Sequence, residues 1–348
     1  MIVRDEEQTL ARCLNCIKSF ADEIIIVDTG STDGTVGIAR AFTDGVYRFE
    51  WQDDFAAARN FSFSKAHGDF VMWLDADDVI TSENAEKILA IKERDDFDVA
   101  FLRYAAAFDG DRPTFVYERE RIVRRSLNLQ WEGEVHEALT PCGRIIHSDA
   151  CVYHKKVKKA DGARNLNIYR KLISGGKKLS PRQKFYYGRE LFFNGLYAEC
   201  IAVLSDFLCG DGWVENKIEA CRTLYFALKL SGRQGEAVRA LVYAFTLDRP
   251  RARDCCELAA LFEQKNDVRS AIFWYSCALS AGDDVIGGGF TEVDYLAYIP
   301  AIRLCVLYAE LGEDEIAENY NEIAGEAKPD DKSVIHNRLY FKQKLKKG

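Results

Sequence analysis

Asp75 and Asp77, in the stretch Leu74-Asp75-Ala76-Asp77-Asp78, are the residues whose types and spacing point most directly to chemistry. Side chains two positions apart on an extended chain share a face, so both carboxylates can aim at one point. Left unpaired they repel and raise each other's proton affinity, which packing alone gives no reason to tolerate. A divalent cation removes that conflict. Hard oxygen ligands favour Mg²⁺ or Mn²⁺, which commonly bridge one or two carboxylates to substrate phosphates. An isolated pair at this spacing is also frequent by chance, and it reads equally as a solvated turn with Asp78 capping a helix. Other residues carry matching chemistry. Asp28 closes an apolar run and can accept from a base N–H or a ribose hydroxyl, or else cap its own turn. Arg59 can grip phosphate with two prongs, or lie exposed on a helix. Glu137 and His136 are candidates for a general base, with Glu134 close by.

The elements that must position these residues follow from hydropathy. Phe70-Val71-Met72-Trp73-Leu74 is a continuous apolar run, as in a strand of a parallel sheet buried on both faces. Its acids then fall at the carboxyl end, where open α/β sheets bind ligands. Upstream, Met1-Ile2-Val3 and residues 24–27 read as strands, residues 8–20 and 36–42 as helices, and 29–35 as a turn whose Ser, Thr and Asp can cap the second helix. Residues 46–49 form a third short strand and 54–66 a helix bearing Arg59. Alternation of strand and helix predicts a parallel sheet with right-handed crossovers. Residues 98–108 and 114–123 follow as strands. Residues 131–139 read as extended, with Trp131, Gly133, Val135 and Glu137 on one face and Glu132, Glu134 and His136 on the other.

In this order Val27-Asp28-Thr29-Gly30-Ser31-Thr32-Asp33-Gly34-Thr35, Phe55-Ala56-Ala57-Ala58-Arg59-Asn60, Gly68-Asp69 and Leu74-Asp75-Ala76-Asp77 closely resemble the glycosyltransferase family 2 pattern. The resemblance covers roughly the first 155 residues. It implies the GT-A fold, a Rossmann-like, mostly parallel sheet. It also implies a nucleoside diphosphate sugar donor, a UDP-sugar being the expected case, with Mn²⁺ or Mg²⁺ and inversion at the anomeric carbon. By the same resemblance Val3, Glu6 and Asp28 hold the nucleoside and Arg59 lies near the diphosphate. Asp75, Ala76 and Asp77 form the donor and metal motif. Trp131-Glu132-Gly133-Glu134-Val135-His136-Glu137 resembles a motif that a subgroup of the family carries on its acceptor side. An inverting transfer needs a base there, with Glu137 the first choice and His136 the second. His154, in Tyr153-His154-Lys155-Lys156, stands where such enzymes often place a further metal ligand; otherwise it is structural. The family's first strand normally starts several residues earlier, so either this strand is short or the start lies upstream of Met1.

The chain has 348 residues, enough for two domains. The expected division is 1–158 for the transferase-like α/β domain and 159–348 for an all-α one. A net charge of −8 argues against sequence-independent binding of nucleic acid. No apolar run approaches the roughly 20 residues of a transmembrane helix. Eleven scattered cysteines, an odd number without metal-ligand spacing, read as reduced thiols of a cytoplasmic protein. Cys13 and Cys16 sit at helical spacing, as buried helix residues do. In the second half Gly195, Gly232, Asn266 and Gly312 each end an amphipathic helix. Cys200, Ala237, Ala271 and Ala317 follow at +5, then Phe207, Ala244, Ala278 and Ala324. The interval from Gly232 to Asn266 is 34, the tetratricopeptide period, and Gly287-Gly288-Gly289 marks an inserted loop in the last gap. This half resembles loose tetratricopeptide repeats in a short solenoid. Residues 161–178 read as a basic linker helix, and the tail from Phe341 to Lys347 as basic and frayed.

Together these point to an enzyme moving a sugar from a nucleotide-sugar donor to a peptide, protein or glycan acceptor, with a homodimer through the repeats as a further expectation. The alternative from another class is a transferase-like scaffold with weak turnover whose repeats bind a protein. A nucleotidyltransferase needs a Gly-rich basic loop after the first strand, and Arg4-Asp5-Glu6-Glu7 has the wrong composition.

Overall fold

The computed structural model describes residues 1–157, 162–282 and 289–344. The chain divides into two compact units. One is Met1–Glu199 with Val285–Gly289, and the other is Cys200–Asp284 with Phe290–Gly348. The change of sequence character at 158/159 therefore precedes the change of compact unit.

In the first unit β1 (Ile2–Val3), β2 (Ile26–Asp28) and β3 (Val46–Arg48) form a parallel sheet in that order. Asp28 stands at the end of β2 in register with Val3 and Arg48. Helices α1 (Leu10–Ile17) and α2 (Thr35–Arg40) make the crossovers. Cys13 lies in α1 with its side chain buried, Cys16 is half-buried, and none of the eleven cysteines is bonded to another. Helix α3 (Phe55–Phe63) is capped by Asp54, whose carboxylate accepts from the Ala57 amide. After it come β4 (Phe70–Met72), β5 (Asp78–Val79) and α4 (Ser82–Lys92). The long hairpin β6 (Val99–Asp109) and β7 (Arg112–Arg124) follows, then β8 (Trp131–Glu132), β9 (Ala138–Leu139) and β10 (Ile145–His154). A mixed sheet runs β7-β6-β10-β5, with β4 paired to β7. Its core joins Leu10, Leu14, Ile26, Leu74, Ile88, Leu102 and Val152.

The sheet departs from expectation in two places. The strand beginning at Phe70 is three residues long and half-buried throughout, and it pairs antiparallel with β7 rather than lying between parallel neighbours. Residues 131–139 are not one extended strand. Trp131 pairs with Leu139 and Glu132 with Ala138 as a hairpin. The intervening loop turns through left-handed backbone at Gly133 (φ +97°) and His136 (φ +53°), which removes the two-face alternation. The unit continues with α5 (Arg164–Ser174) and α6 (Pro181–Phe193).

The second unit is built from helices α7 (Tyr197–Cys209), α8 (Val214–Leu230), α9 (Gln234–Tyr243), α10 (Ala252–Gln264), α11 (Val268–Ser280), α12 (Val293–Leu296), α13 (Tyr298–Glu310), α14 (Asp314–Ala327) and α15 (Lys332–Lys344). Gly195, Gly232, Asn266 and Gly312 all take left-handed backbone, with φ of +74°, +74°, +59° and +80°. At each, the next amide reaches back five residues, from Leu196 to Leu191, Arg233 to Leu228, Asp267 to Phe262 and Glu313 to Tyr308. That is the Schellman closure of a helix. Cys200, Ala237, Ala271 and Ala317 are fully buried, as are Ala278 and Ala324, with Phe207 and Ala244 nearly so. The spacing read from sequence is thus that of tetratricopeptide-like repeats. The tail differs from expectation, because α15 runs to Lys344 and buries Phe341 against Cys305 and Ala317. Gly287 and Gly288 lie outside the described residues. Among the described residues no helix is long and apolar enough to cross a membrane.

Candidate active site

Asp75, Ala76, Asp77 and Asp78 form a turn, not extended chain, closed by the Asp78 amide donating to Asp75 O (3.1 Å). Asp78 Oδ2 in turn accepts from the Asp75 amide at 3.0 Å. Arg121, whose side chain is fully buried, donates to the same oxygen and to Trp73 O, each at 3.1 Å. Its guanidinium lies 3.7 Å from the Trp73 ring and 4.3 Å from the Tyr104 ring. Asp78 is therefore the residue that fixes the turn. Ala76 is buried in the turn.

The register of β5 with β10 sets His154 opposite Asp78. His154 Nδ1 lies 3.1 Å from Asp78 Oδ1 and 3.2 Å from Asp77 Oδ1. Burial disfavours the charged imidazole, but these two carboxylates outweigh it and push His154 up to about 9. Ligand atoms of Asp75, Asp78 and His154 lie within 4.8 Å of one another. This trio includes Asp78, through its Oδ1, and not Asp77, whose Oδ1 lies 3.2 Å from His154 Nδ1. Carboxylate and imidazole suit Mn²⁺ or Mg²⁺ in donor type, and ligation requires His154 to give up its proton.

Arg59 on α3 joins this turn to the hairpin. Its Nη2 donates to Asp75 Oδ1 at 2.8 Å and its Nε to Glu137 Oε1 at 2.6 Å. The guanidinium lies 4.9 Å from both the Trp73 and the Trp131 rings. Burial works against the charge on Arg59, and the two carboxylates outweigh it, so the guanidinium stays protonated. Burial likewise raises the Asp75 carboxyl, but Arg59 and then Arg121 hold it well below the usual carboxylate range. Next along α3, Asn60 donates to Trp131 O at 3.0 Å and accepts from the Trp131 amide at 2.8 Å.

Asp75, Asp77, His154, Arg59 and Glu137 are thus joined in one cluster. The Glu137 bond to Arg59 runs through Oε1. His136 does not face this cluster: its Nε2 lies 2.7 Å from Glu190 Oε1, and its ring stacks on Tyr186 at 4.2 Å. Asp28 is buried at the end of β2, and its carboxylate accepts from the Gly30 and Ser31 amides, capping its own turn. Val3 is buried in β1. Glu6 accepts from the Thr9 hydroxyl, and its amide donates to Thr35 Oγ1. Sequence reasoning missed Arg121, Asn60 and Glu190. Arg121 ends the charged run Glu118-Arg119-Glu120-Arg121, in which nothing in the sequence singles it out.

Residues 1–152 match the profile of Glycosyl transferase family 2. This segment is a family 2 glycosyltransferase domain. The chain is also similar to several curated proteins. The SPbeta prophage-derived glycosyltransferase SunS of Bacillus subtilis (strain 168) is 28% identical over 208 residues, 55% of this chain and 48% of that protein. Lipopolysaccharide core biosynthesis glycosyltransferase LpsC of Rhizobium meliloti (strain 1021) is 26% identical over 263 residues, 69% of this chain and 93% of that one. TPR repeat-containing protein Synpcc7942_0270 of Synechococcus elongatus is 46% identical over 83 residues, 24% of this chain and 21% of that one. The chain spans about half the length of SunS and about a fifth of the Synechococcus protein. Among solved structures, S. aureus TarS aligns over 69% of this chain and 52% of its own at 15% identity, with a TM-score of 0.38, too slight a likeness to bear on the site.

Proposed function

We propose that this protein is an inverting, metal-dependent glycosyltransferase that uses a nucleoside diphosphate sugar, a UDP-sugar in the first instance. The observation that carries the reading is the meeting of Asp75, Asp77, His154, Arg59 and Glu137 in one cluster of a family 2 domain. The donor nucleoside would lie against Val3, Glu6 and Asp28. Arg59 is already charged and held in a fork geometry suited to phosphate oxygens. Asp75, with Ala76 giving a close backbone approach, would face the diphosphate. A divalent cation held by Asp75, Asp77 and His154 would offset charge on the leaving group. Glu137 would take the acceptor's proton through Oε2, its other oxygen being fixed by Arg59. His136, turned toward Glu190, supports this base without acting as one.

We infer that the acceptor is a peptide, protein or glycan that the tetratricopeptide-like repeats help to recruit. Tethering an acceptor raises its effective concentration at the reacting groups. Within the second unit Glu257, Glu263, Tyr275, Tyr295 and Arg303 line a cavity of about 470 Å³ open to solvent. The repeats could also carry self-association, which sedimentation would detect. Eleven unbonded thiols support a reducing, cytoplasmic setting.

The test begins with a thermal-shift screen of nucleotide sugars with Mn²⁺, since a bound donor raises the melting temperature. Glu137→Gln should keep that shift and lose donor hydrolysis and transfer. No shift with any donor, and no hydrolysis of one, would overturn the reading. An active Glu137→Gln alongside an inactive His136→Ala would move the base to His136.

A further inference from the structure

Residues 133–137 are held from outside the sheet to a degree that a surface loop does not require. Glu134 pairs with Lys177, and its Oε2 accepts from Gln183 Nε2 at 2.7 Å. Gln183 also closes the capping box that starts α6, so its side chain has little freedom. Val135 is buried against Ile168 and Tyr169 of α5, and its carbonyl accepts from the Tyr169 hydroxyl at 3.4 Å. His136 O accepts from Arg182 at 3.2 and 3.3 Å. The His136 ring is stacked on Tyr186 and paired with Glu190, which Asn165 of α5 also contacts at 3.1 Å. On the α3 side the Glu134 carbonyl accepts from the Phe55 amide at 2.9 Å, and Glu137 turns toward Arg59.

The backbone agrees with the side chains. His136 has φ of +53°, left-handed backbone that is uncommon for a residue other than glycine. That conformation sits immediately before Glu137 and sets the direction of the Glu137 side chain. Nothing about the sheet requires it, because the loop is closed by only two residue pairs, Trp131 with Leu139 and Glu132 with Ala138. Most of the side-chain contacts on the loop come from α5 and α6.

We propose that α5 and α6 are part of the framework of the transfer site, and that Glu190, Tyr186 and Arg182 are positioning residues that aim Glu137 through the 133–137 loop. Residues 164–193 are on this view not a linker between a catalytic domain and its repeats. The role assigned to Glu137 rests on the function proposed above; the clamp itself does not. A carboxylate displaced by about 1 Å from its working position costs roughly 10²-fold in rate.

The experiment uses the full chain and two readouts. Hydrogen exchange of the 131–139 peptide is followed in the parent, Glu190→Ala, Tyr186→Ala and the conservative variants Glu190→Gln and Tyr186→Phe. Steady-state transfer is measured on the same proteins. Glu190→Ala and Tyr186→Ala should speed exchange of 131–139 and lower kcat by roughly 10- to 100-fold. Donor binding and KM for donor should hold, because the donor-side residues are elsewhere. Glu190→Gln keeps an acceptor for the imidazole, and Tyr186→Phe keeps the stacking ring, so both should recover most of the loss. Glu190→Ala combined with His136→Ala should be no worse than either alone, as for residues acting through one contact. Unchanged exchange at 131–139 in both alanine variants would overturn the clamp. Faster exchange with undiminished kcat would overturn the positioning role. A parent inactive on every nucleotide sugar would count against the proposed function, while the exchange data still decide the clamp.

Discussion

Replacing Arg59 by Met separates the charge of this residue from its bulk. Methionine fills much of the space between Trp73 and Trp131 but removes the cation that Asp75 and Glu137 share, leaving Arg121 and His154 as the remaining positive charges acting on Asp75. Removing one partner of a buried pair costs about 3–5 kcal/mol, because the other charge stays buried. The side chains of Arg59 and Glu137 are 9% and 12% exposed, so that penalty applies at Glu137. Asp75 is 31% exposed and relaxes partly into water, so the two losses do not double. The expected destabilisation is about 3–5 kcal/mol at pH 7. Its pH dependence follows from Asp75. Burial raises that carboxyl, and Arg59 reverses the effect, so the folded group lies below its unfolded value. Such a group stabilises fully above an unfolded pKa of about 3.9 and loses the contribution as pH falls. Without Arg59 the balance shifts back toward burial, and the carboxyl rises. The gap between parent and variant is therefore widest near neutrality and narrows as pH drops toward 4. Urea unfolding followed by tryptophan fluorescence at pH 7 and pH 4.5 reads both effects. Equal midpoints at pH 7, or a gap that widens on acidification, would refute the bridge.

Asp77→Asn should reduce metal-dependent transfer by roughly 10²–10³ and leave the melting temperature unchanged, with the parent falling to the same level in EDTA. In the second unit Arg222 grips buried Asp254 through two bonds of 2.7 and 3.1 Å, so Asp254→Ala should cost about 3–5 kcal/mol in chemical denaturation. Converting Arg222, Asp254 and the third partner Glu219 together to apolar residues should cost less, since no charge of that cluster is left behind. Gly232→Ala, at φ +74°, should destabilise by about 1–2 kcal/mol in the same assay. Two residues into the helix that follows, Gly235→Ala meets open space and should stabilise by about 0.5–1 kcal/mol.

Local rules located the repeats well, because each repeat is closed by its own backbone. A glycine or asparagine in left-handed conformation and a small residue five positions on are both visible in a single helical hairpin. The sheet domain was legible in its order of elements and in the acids after Phe70-Val71-Met72. What those acids touch was not. Asp78 looks like a spare carboxylate in sequence, yet it fixes the turn through Arg121, a partner 43 residues away. The hairpin at 131–139 was misread for a related reason. Alternating apolar and polar residues satisfy the period of a strand, but Gly133 and His136 break it. His136 is held there by contacts with Arg182, Tyr186 and Glu190, which no window of sequence contains.

The two hydrogen bonds between Asn60 and the backbone of Trp131 have an evolutionary consequence. An amide side chain there does the work of a neighbouring strand, and the adjacent Arg59 holds Glu137. Helix α3 and the hairpin are thus coupled to each other across a stretch of chain that itself carries Asp75, Asp77, Asp78 and Arg121. A chimera that imports the acceptor-side hairpin of a relative, without that relative's version of α3 and of the helices following β10, inherits mismatched halves. Grafting between such enzymes should succeed when all three segments travel together.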